Sequence, residues 1–252
     1  MFDQAAVPDV SVLTPLHRPV GAWLLELHAS LDAQRGVAWE WVVQVDGDAA
    51  LLEQVPEAIR SDPRVAAQAN GGWFGQSVTR NLALVRCRAP LLQTVDGDDV
   101  LEPRALDVAA RRLNDERDLG FVFGRTRDLT ADGGLVEGKN LYPQGRIEPG
   151  VLARDWEERG GSCSIVVPSV MWRTAVVDAR AGWPASIAGM DVLLLLSVAA
   201  EHPGFALGEY TYRYRCHPDQ IHRGALRHAM RPAYRALARR MLGARSGAAL
   251  GG

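Results

Sequence analysis

The 252-residue sequence predicts an α/β fold in which a mostly parallel central sheet is flanked by helices. Short apolar runs of strand length alternate with stretches whose apolar residues recur at helical spacing, the pattern of βα units. Several of the runs also stop abruptly at turn-forming or acidic residues: Thr14-Pro15, Asp46-Gly47-Asp48 and Asp96-Gly97-Asp98-Asp99. In an open parallel sheet such strand ends lie along one edge, where ligands bind.

In chain order, residues 10–13 read as a strand ended by Thr14-Pro15, and Val20, Leu24, Leu27 and Leu31 then mark a helix. Residues 41–45 form a second strand, followed by helix over about 50–60 and a short third strand at 64–68. Asn70-Gly71-Gly72 breaks the chain before a helix at 76–85, and 91–95 is the fourth strand. A helix is expected at 103–113 after Pro103, and a strand at 119–124. Residues 128–149, rich in Gly, Asp, Asn and Pro, read as an irregular substrate-side loop or lid. Strand character returns at 164–167, 171–178 reads as helix, Gly182-Trp183-Pro184 breaks it, and Asp191 opens an apolar helix over 192–200. Residues 210–215 are the last strand, and the tail from Gly243 reads as frayed.

Composition excludes several classes. With 47% hydrophobic residues the chain has enough apolar material for a substantial core, and its length suits one large domain or one and a half. Its net charge of −2 gives no global field for nucleic acid. Cys87, Cys163 and Cys216 lie far apart, with neither a disulfide framework nor zinc-ligand spacing. There is no leader-like N-terminus and no apolar run of membrane-spanning length, which leads to the expectation of a cytoplasmic protein. Neither GxGxxG nor GxxxxGK[ST] follows the first strand, so dinucleotide and P-loop sites are not expected.

Asp96, Asp98 and Asp99 place three carboxylates in one loop. Like charges this close repel unless a hard cation or strong donors compensate them, so the loop reads as half of a divalent-metal site completed by a diphosphate. Turn and helix-capping chemistry is the competing account.

Taken in order, Val-Ser-Val-Leu-Thr-Pro at 10–15, Val-Val-Gln-Val-Asp-Gly-Asp at 42–48, Ser77-Val78-Thr79-Arg80-Asn81, Val-Asp-Gly-Asp-Asp at 95–99 and Gly189-Met190-Asp191 resemble glycosyltransferase family 2. The end Tyr212-Arg213-Tyr214-Arg215-Cys216-His217 is similar too, so the resemblance covers roughly residues 8–222. It implies a GT-A fold with a nucleotide-sugar-binding half at 1–118, an acceptor and catalytic-base half at 119–222, and a C-terminal helix and tail at 223–252. The implied activity is inverting transfer from a UDP- or dTDP-sugar to an acceptor hydroxyl of a glycan, lipid-linked or small-molecule acceptor, assisted by Mn²⁺ or Mg²⁺.

The same resemblance implies residue roles. Thr14 and Pro15 would line the nucleobase pocket, Asp46 would accept from the base imide, and Arg80 would lie beside base and ribose. Asp46 also fits a simple turn. Asp96 would approach the ribose and Asp98 the metal, with Asp99 either a second metal contact or a helix cap. His217 would contact metal or diphosphate, with Gln220 and His222 in the same loop. Asp191 is the expected general base, its alternative being a cap at the head of a helix. The family often carries Glu-Asp where this chain has Met190-Asp191, which favours a second hypothesis, a non-catalytic nucleotide-sugar-binding or assembly module. A sugar-phosphate nucleotidyltransferase is a third, but Thr14-Pro15-Leu16-His17-Arg18 is not the glycine-rich basic loop it needs. Trp73, Trp156, Trp172 and Trp183 offer faces for sugar stacking or core packing, with Trp183 the acceptor-side candidate.

Arg227, Arg231, Arg235 and Arg239 recur every four residues opposite Met230, Tyr234, Leu237 and Met241, a basic amphipathic helix interrupted or started near Pro232. It reads either as a helix docked by its apolar side or as a peripheral contact with an anionic inner-membrane face.

Overall fold

A computed structural model describes residues 6–139, 142–186, 188–218, 220 and 225–248. The first part of the chain runs β1 (Val10–Leu16), α1 (Gly21–Asp32), β2 (Trp39–Val45), α2 (Ala49–Leu52), α3 (Glu57–Arg60), β3 (Val65–Ala69), α4 (Gln76–Leu84) and β4 (Leu91–Thr94). The second continues with β5 (Val100–Leu101), α5 (Ala105–Asp115), β6 (Phe121–Leu129), β7 (Leu135–Glu137), β8 (Gly145–Ile147), α6 (Val151–Glu158), β9 (Met171–Arg173), α7 (Thr174–Asp178), α8 (Met190–Ala199), β10 (Gly204–Arg215) and α9 (Ala225–Ala248).

The strands form one sheet in the order β3-β2-β1-β4-β9-β6-β10-β5, with β7 on β6 and β8 on β10. The β3-β2, β2-β1, β1-β4 and β6-β10 pairs are parallel, whereas β9 runs antiparallel to both β4 and β6 and splices the two parallel blocks together. All residues of β1, β2 and β4 are buried, because helices cover both faces. Successive side chains point to opposite faces. Leu13, Val42, Leu92 and Phe121 accordingly enter one core with α6 and α8, while Val12, Val43, Leu91 and Val122 enter the other with α1 and α5.

Departures from the expected elements have local causes. The helix expected over 50–60 is two short helices, broken where Pro56 takes the N-cap position of α3. Residues 164–167 are not a strand. The strand in that region is β9, at Met171–Arg173, where a helix was expected, because Met171 and Trp172 are buried between β4 and β6. The irregular stretch at 128–149 includes the end of β6 and the short strands β7 and β8. β10 begins at Gly204 rather than 210, its pairing with β6 interrupted by register shifts between Ala206 and Tyr212.

Helix α9 is continuous through Pro232 and, instead of fraying from Gly243, extends to Ala248. Its apolar side is docked: Ala238 is buried, Met241 and Leu242 pack on the core, and Trp156 Nε1 donates to Tyr234 Oη at 3.1 Å. Arg239 pairs with Glu157 of α6 at 2.9 Å, while the Arg227 side chain lies outside the described residues. Among the described residues no helix is long and apolar enough to cross a membrane.

Beside α1, His28, Asp32 and Asp62 gather within 4.8 Å, and Arg64 bridges both carboxylates, at 2.5 Å to Asp32 and 2.6 Å to Asp62. Hydrogen bonds from Arg64 hold the Asp62 carboxyl well below its ordinary value of 3.8, outweighing burial. A depressed acid stabilises the fold above its unfolded value and loses that contribution as pH falls. The Asp62→Asn substitution is therefore expected to cost on the order of 1–2 kcal/mol at neutral pH, with the gap to wild type shrinking below about pH 4. Urea midpoints at about pH 7 and pH 3 check this, and an equal gap at both would refute it.

Candidate active site

The parallel register aligns the strand ends. Leu16 pairs with Val45 and Leu13 with Thr94, so the residues after β1, β2 and β4 emerge on one edge of the sheet. Asp46 follows β2, Asp96 follows β4, and Asp191 enters from the head of α8. Asp96 and Asp191 come together at Arg80 of α4.

Arg80 is 1% exposed. Its Nη2 donates to Asp96 Oδ1 at 2.9 Å, and its Nη1 lies 3.0 Å from Asp191 Oδ1. The guanidinium carbon is 5.9 Å from the Trp183 ring centroid. Burial works against the Arg80 charge, but Asp191 and Asp96 outweigh it and keep the group above its ordinary value. Removing one partner of a buried pair typically costs about 3–5 kcal/mol, against about 0–1 for an exposed one. The Arg80 bridge therefore belongs to the architecture of the site, not to its surface decoration.

Asp46, 5% exposed, accepts from the backbone amides of Phe74 at 2.7 Å and Gly75 at 3.1 Å and from Asn70 Nδ2 at 3.1 Å. It thereby ties the 70–75 loop to the end of β2. Thr14 is fully buried, its Oγ1 accepting from Trp41 Nε1 at 2.9 Å, and Pro15 is buried beside it. His17 sits edge-on to the exposed Trp73 with centroids 4.8 Å apart, next to Asp46.

The three carboxylates of the loop differ in surroundings. Burial pushes Asp96 up to about 6, assisted by Asp98 and Asp191 and opposed by Arg80. Asp99, 1% exposed, accepts from Tyr212 Oη at 2.8 Å and from the Arg215 amide at 2.7 Å. Burial first, then Asp98 and Asp96, push its carboxyl well above the ordinary range. Asp99 thus fastens the loop to β10. It does not cap α5, whose N-cap position is Arg104. Asp98 Oδ2 meets His217 Nε2 at 2.9 Å, and the His217 ring lies 4.7 Å from Trp23 of α1. Among the described residues, the buried His217 Nδ1 has no hydrogen-bond partner.

Asp191 lies in the first turn of α8, but the N-cap position is Gly189, at φ +69°, and no side chain caps the helix. Its observed contact is Arg80. Met190, where the family often has an acid, is 3% exposed and part of the core. Trp183 is 3% exposed and Trp156 and Trp172 are 1% each, so three of the four tryptophans named from sequence are core residues and Trp73, at 61%, is the open one. Gln220 donates to the Arg215 carbonyl at 2.8 Å, and His222 lies outside the described residues.

Residues 11–173, well over half of the chain, match the family described as Glycosyl transferase family 2. The chain belongs to glycosyltransferase family 2. Half of this family-2 chain is 26% identical to the O-antigen biosynthesis protein RfbC of Myxococcus xanthus, over 128 residues that make up 10% of that protein. Another half-chain match, 28% identical over 134 residues, covers 14% of the uncharacterized protein y4gI of Sinorhizobium fredii. Among solved structures, Staphylococcus aureus TarS 1-349 in complex with UDP-GlcNAc superposes with a TM-score of 0.66 at 18% identity, covering 84% of this chain and 60% of that one. The same fragment with UDP gives 0.64, covering 83% and 61%. The family-2 chain therefore has the mixed α/β fold of these structures, and it spans a small part of the length of the curated relatives it matches.

Sequence reasoning missed the supporting residues. Asn70, Ser77, Thr79 and Asn81 do much of the holding around the site, and Tyr212 pins the carboxylate loop from across the sheet by donating to Asp99 and accepting from the Asp96 amide at 3.3 Å. Ser77, Thr79 and Asn81 were visible only as parts of one motif and Asn70 only as a chain break, without these roles. Trp23 gave no signal, and Tyr212 was visible in the family-like end without its role, because their partners are remote in sequence.

Proposed function

We propose that this family-2 chain is an inverting glycosyltransferase that moves a sugar from a UDP- or dTDP-sugar to an acceptor hydroxyl in the assembly of a polysaccharide or glycosylated natural product. The observation that carries this is the joining of Asp96, from the donor-side loop, and Asp191, from the head of α8, by one buried arginine. TarS, a structural neighbour, has been solved with UDP-GlcNAc and with UDP, and RfbC is named for O-antigen biosynthesis.

Asp46, Thr14 and Pro15 form the nucleoside side, and Asp96 approaches the ribose with Arg80 behind it. Asp98 and His217 suit a divalent cation: their donor atoms are 2.9 Å apart, Asp98 is partly open, and hard cations retain places for diphosphate oxygens and water. Asp99, with both oxygens engaged inside the fold, supports that pair by fixing the loop. Bound there, Mn²⁺ or Mg²⁺ supplies positive charge for the leaving diphosphate.

Asp191 accepts the proton of the acceptor hydroxyl as its oxygen bonds to the sugar C1. The bond from C1 to the diphosphate oxygen breaks on the opposite face, which inverts the anomeric centre. A non-catalytic nucleotide-sugar-binding module is the rival, and slow UDP release from UDP-sugars separates the two. Calorimetric titration of UDP and dTDP, with and without Mn²⁺, is expected to show metal-dependent binding. A folded chain that binds neither nucleotide would overturn the proposal.

A further inference from the structure

Helix α4 faces both parts of the site. On one side Thr79 Oγ1 accepts from Asn70 Nδ2 at 2.9 Å, and Asn70 in turn donates to Asp46. On the other, Ser77 and, one turn later, Arg80 and Asn81 reach α8 and the segment that leads into it. Ser77 Oγ donates to the Pro184 carbonyl at 3.0 Å, and Asn81 holds the backbone of Trp183 in both directions, at 2.8 and 3.0 Å. Gly182, at φ +79°, allows that approach, since a Cβ there would stand 2.2 Å from Asn81 Oδ1. Between these two bonds Arg80 donates from Nη2 to Asp96 and keeps Nη1 3.0 Å from Asp191, an ion pair without hydrogen-bond geometry.

Asp191 receives no orientation from capping its own helix. The charged group beside its carboxylate, among the described residues, is the buried Arg80 guanidinium, an ion pair at 3.0 Å. We propose that Arg80 is a positioning residue: it aims the Asp191 carboxylate from a helix that is also bonded to the Asp46 loop, so that an ordered donor side sets the base in place. This rests on the reading of Asp191 as the base. It differs from the role that the family resemblance implies, a contact made by Arg80 itself with base and ribose.

The test uses the full chain, UDP-GlcNAc as the donor probe and water as the acceptor. The Arg80→Lys substitution retains a buried charge but not a planar fork, so it is the variant expected to fold; Arg80→Gln removes the charge, and its melting curve shows whether it folds. Because Arg80 also bonds Asp96, Arg80→Lys is expected to weaken UDP binding by up to about tenfold and, with donor saturating, to release UDP about a hundredfold more slowly. Added to Asp191→Asn, it should cost less than about threefold more, because the two residues act as a unit. Collapse of UDP affinity with kcat intact, or fully multiplicative losses in the double variant, would overturn the positioning role.

If the wild-type chain releases no UDP from this donor, the base reading has failed for that substrate, and the placement of Asp191 is decided without ligand. The Leu193 amide, which donates to the Gly189 carbonyl at 2.8 Å and closes the first turn of α8, should then exchange at least about tenfold faster in Arg80→Lys than in wild type, with β1 and β2 unchanged. Equal exchange at Leu193 would overturn the proposal.

Discussion

An Asp191→Asn chain is expected to bind UDP as wild type does and to release UDP from a UDP-sugar about 10²–10⁴-fold more slowly, the range over which a positioned general base acts. Asparagine keeps the shape of the side chain and lacks the basic oxygen. The substitution leaves Arg80 with Asp96 as a counter-charge, so the bridge loses one of its two carboxylates but not its anchor on the donor side. Asp46 and the 96–99 loop hold their own bonds to the 70–75 loop and to β10 independently of Asp191. Calorimetry with UDP and a coupled assay for UDP release measure the two quantities on one preparation. A rate within a few-fold of wild type would remove Asp191 from the chemistry and leave it as a structural partner of Arg80.

The second large effect is expected at Asp98. Its carboxylate faces His217 across 2.9 Å, whereas Asp99 a residue later is committed to Tyr212 and Arg215. Asparagine at 98 can still meet His217 but has lost the negative charge that a divalent cation requires. The gain in UDP affinity produced by Mn²⁺ is expected to fall by about a hundredfold, ~2.7 kcal/mol, while metal-independent binding is retained. An Asp98→Asn chain that keeps the full gain would move the metal away from this pair.

The parallel sheet was legible because strands buried on both faces read as uninterrupted apolar runs, and the site edge was legible because acids stand directly after β2 and β4. Three-residue strands carry too little pattern to be seen. β9 hides in a stretch that also fits a helix, and only its place between β4 and β6 decides the matter. Helix α6 did leave a trace, Leu152 and Trp156 one turn apart and both buried, but two apolar positions after an irregular region are too few to define a helical period. At the site, residue types identified the carboxylates but could not divide their labour. Asp99 is separated from Asp98 by Tyr212 and Arg215, more than a hundred residues along the chain. The pairing of Arg80 with Asp191 was invisible for the same reason: it depends on how α4 and α8 are placed in space.

Gly189 has a further consequence for handling the protein. A Cβ at Gly189 would stand 2.5 Å from the Tyr234 ring of α9, so the C-terminal helix sits hard against the residue that opens α8, two positions before Asp191. The helix that looks like a dispensable appendage is a wall behind the turn that opens α8. Trimming the chain ahead of Tyr234 for expression or crystallisation would take away that wall, and fusing a bulky partner close behind the helix would load it.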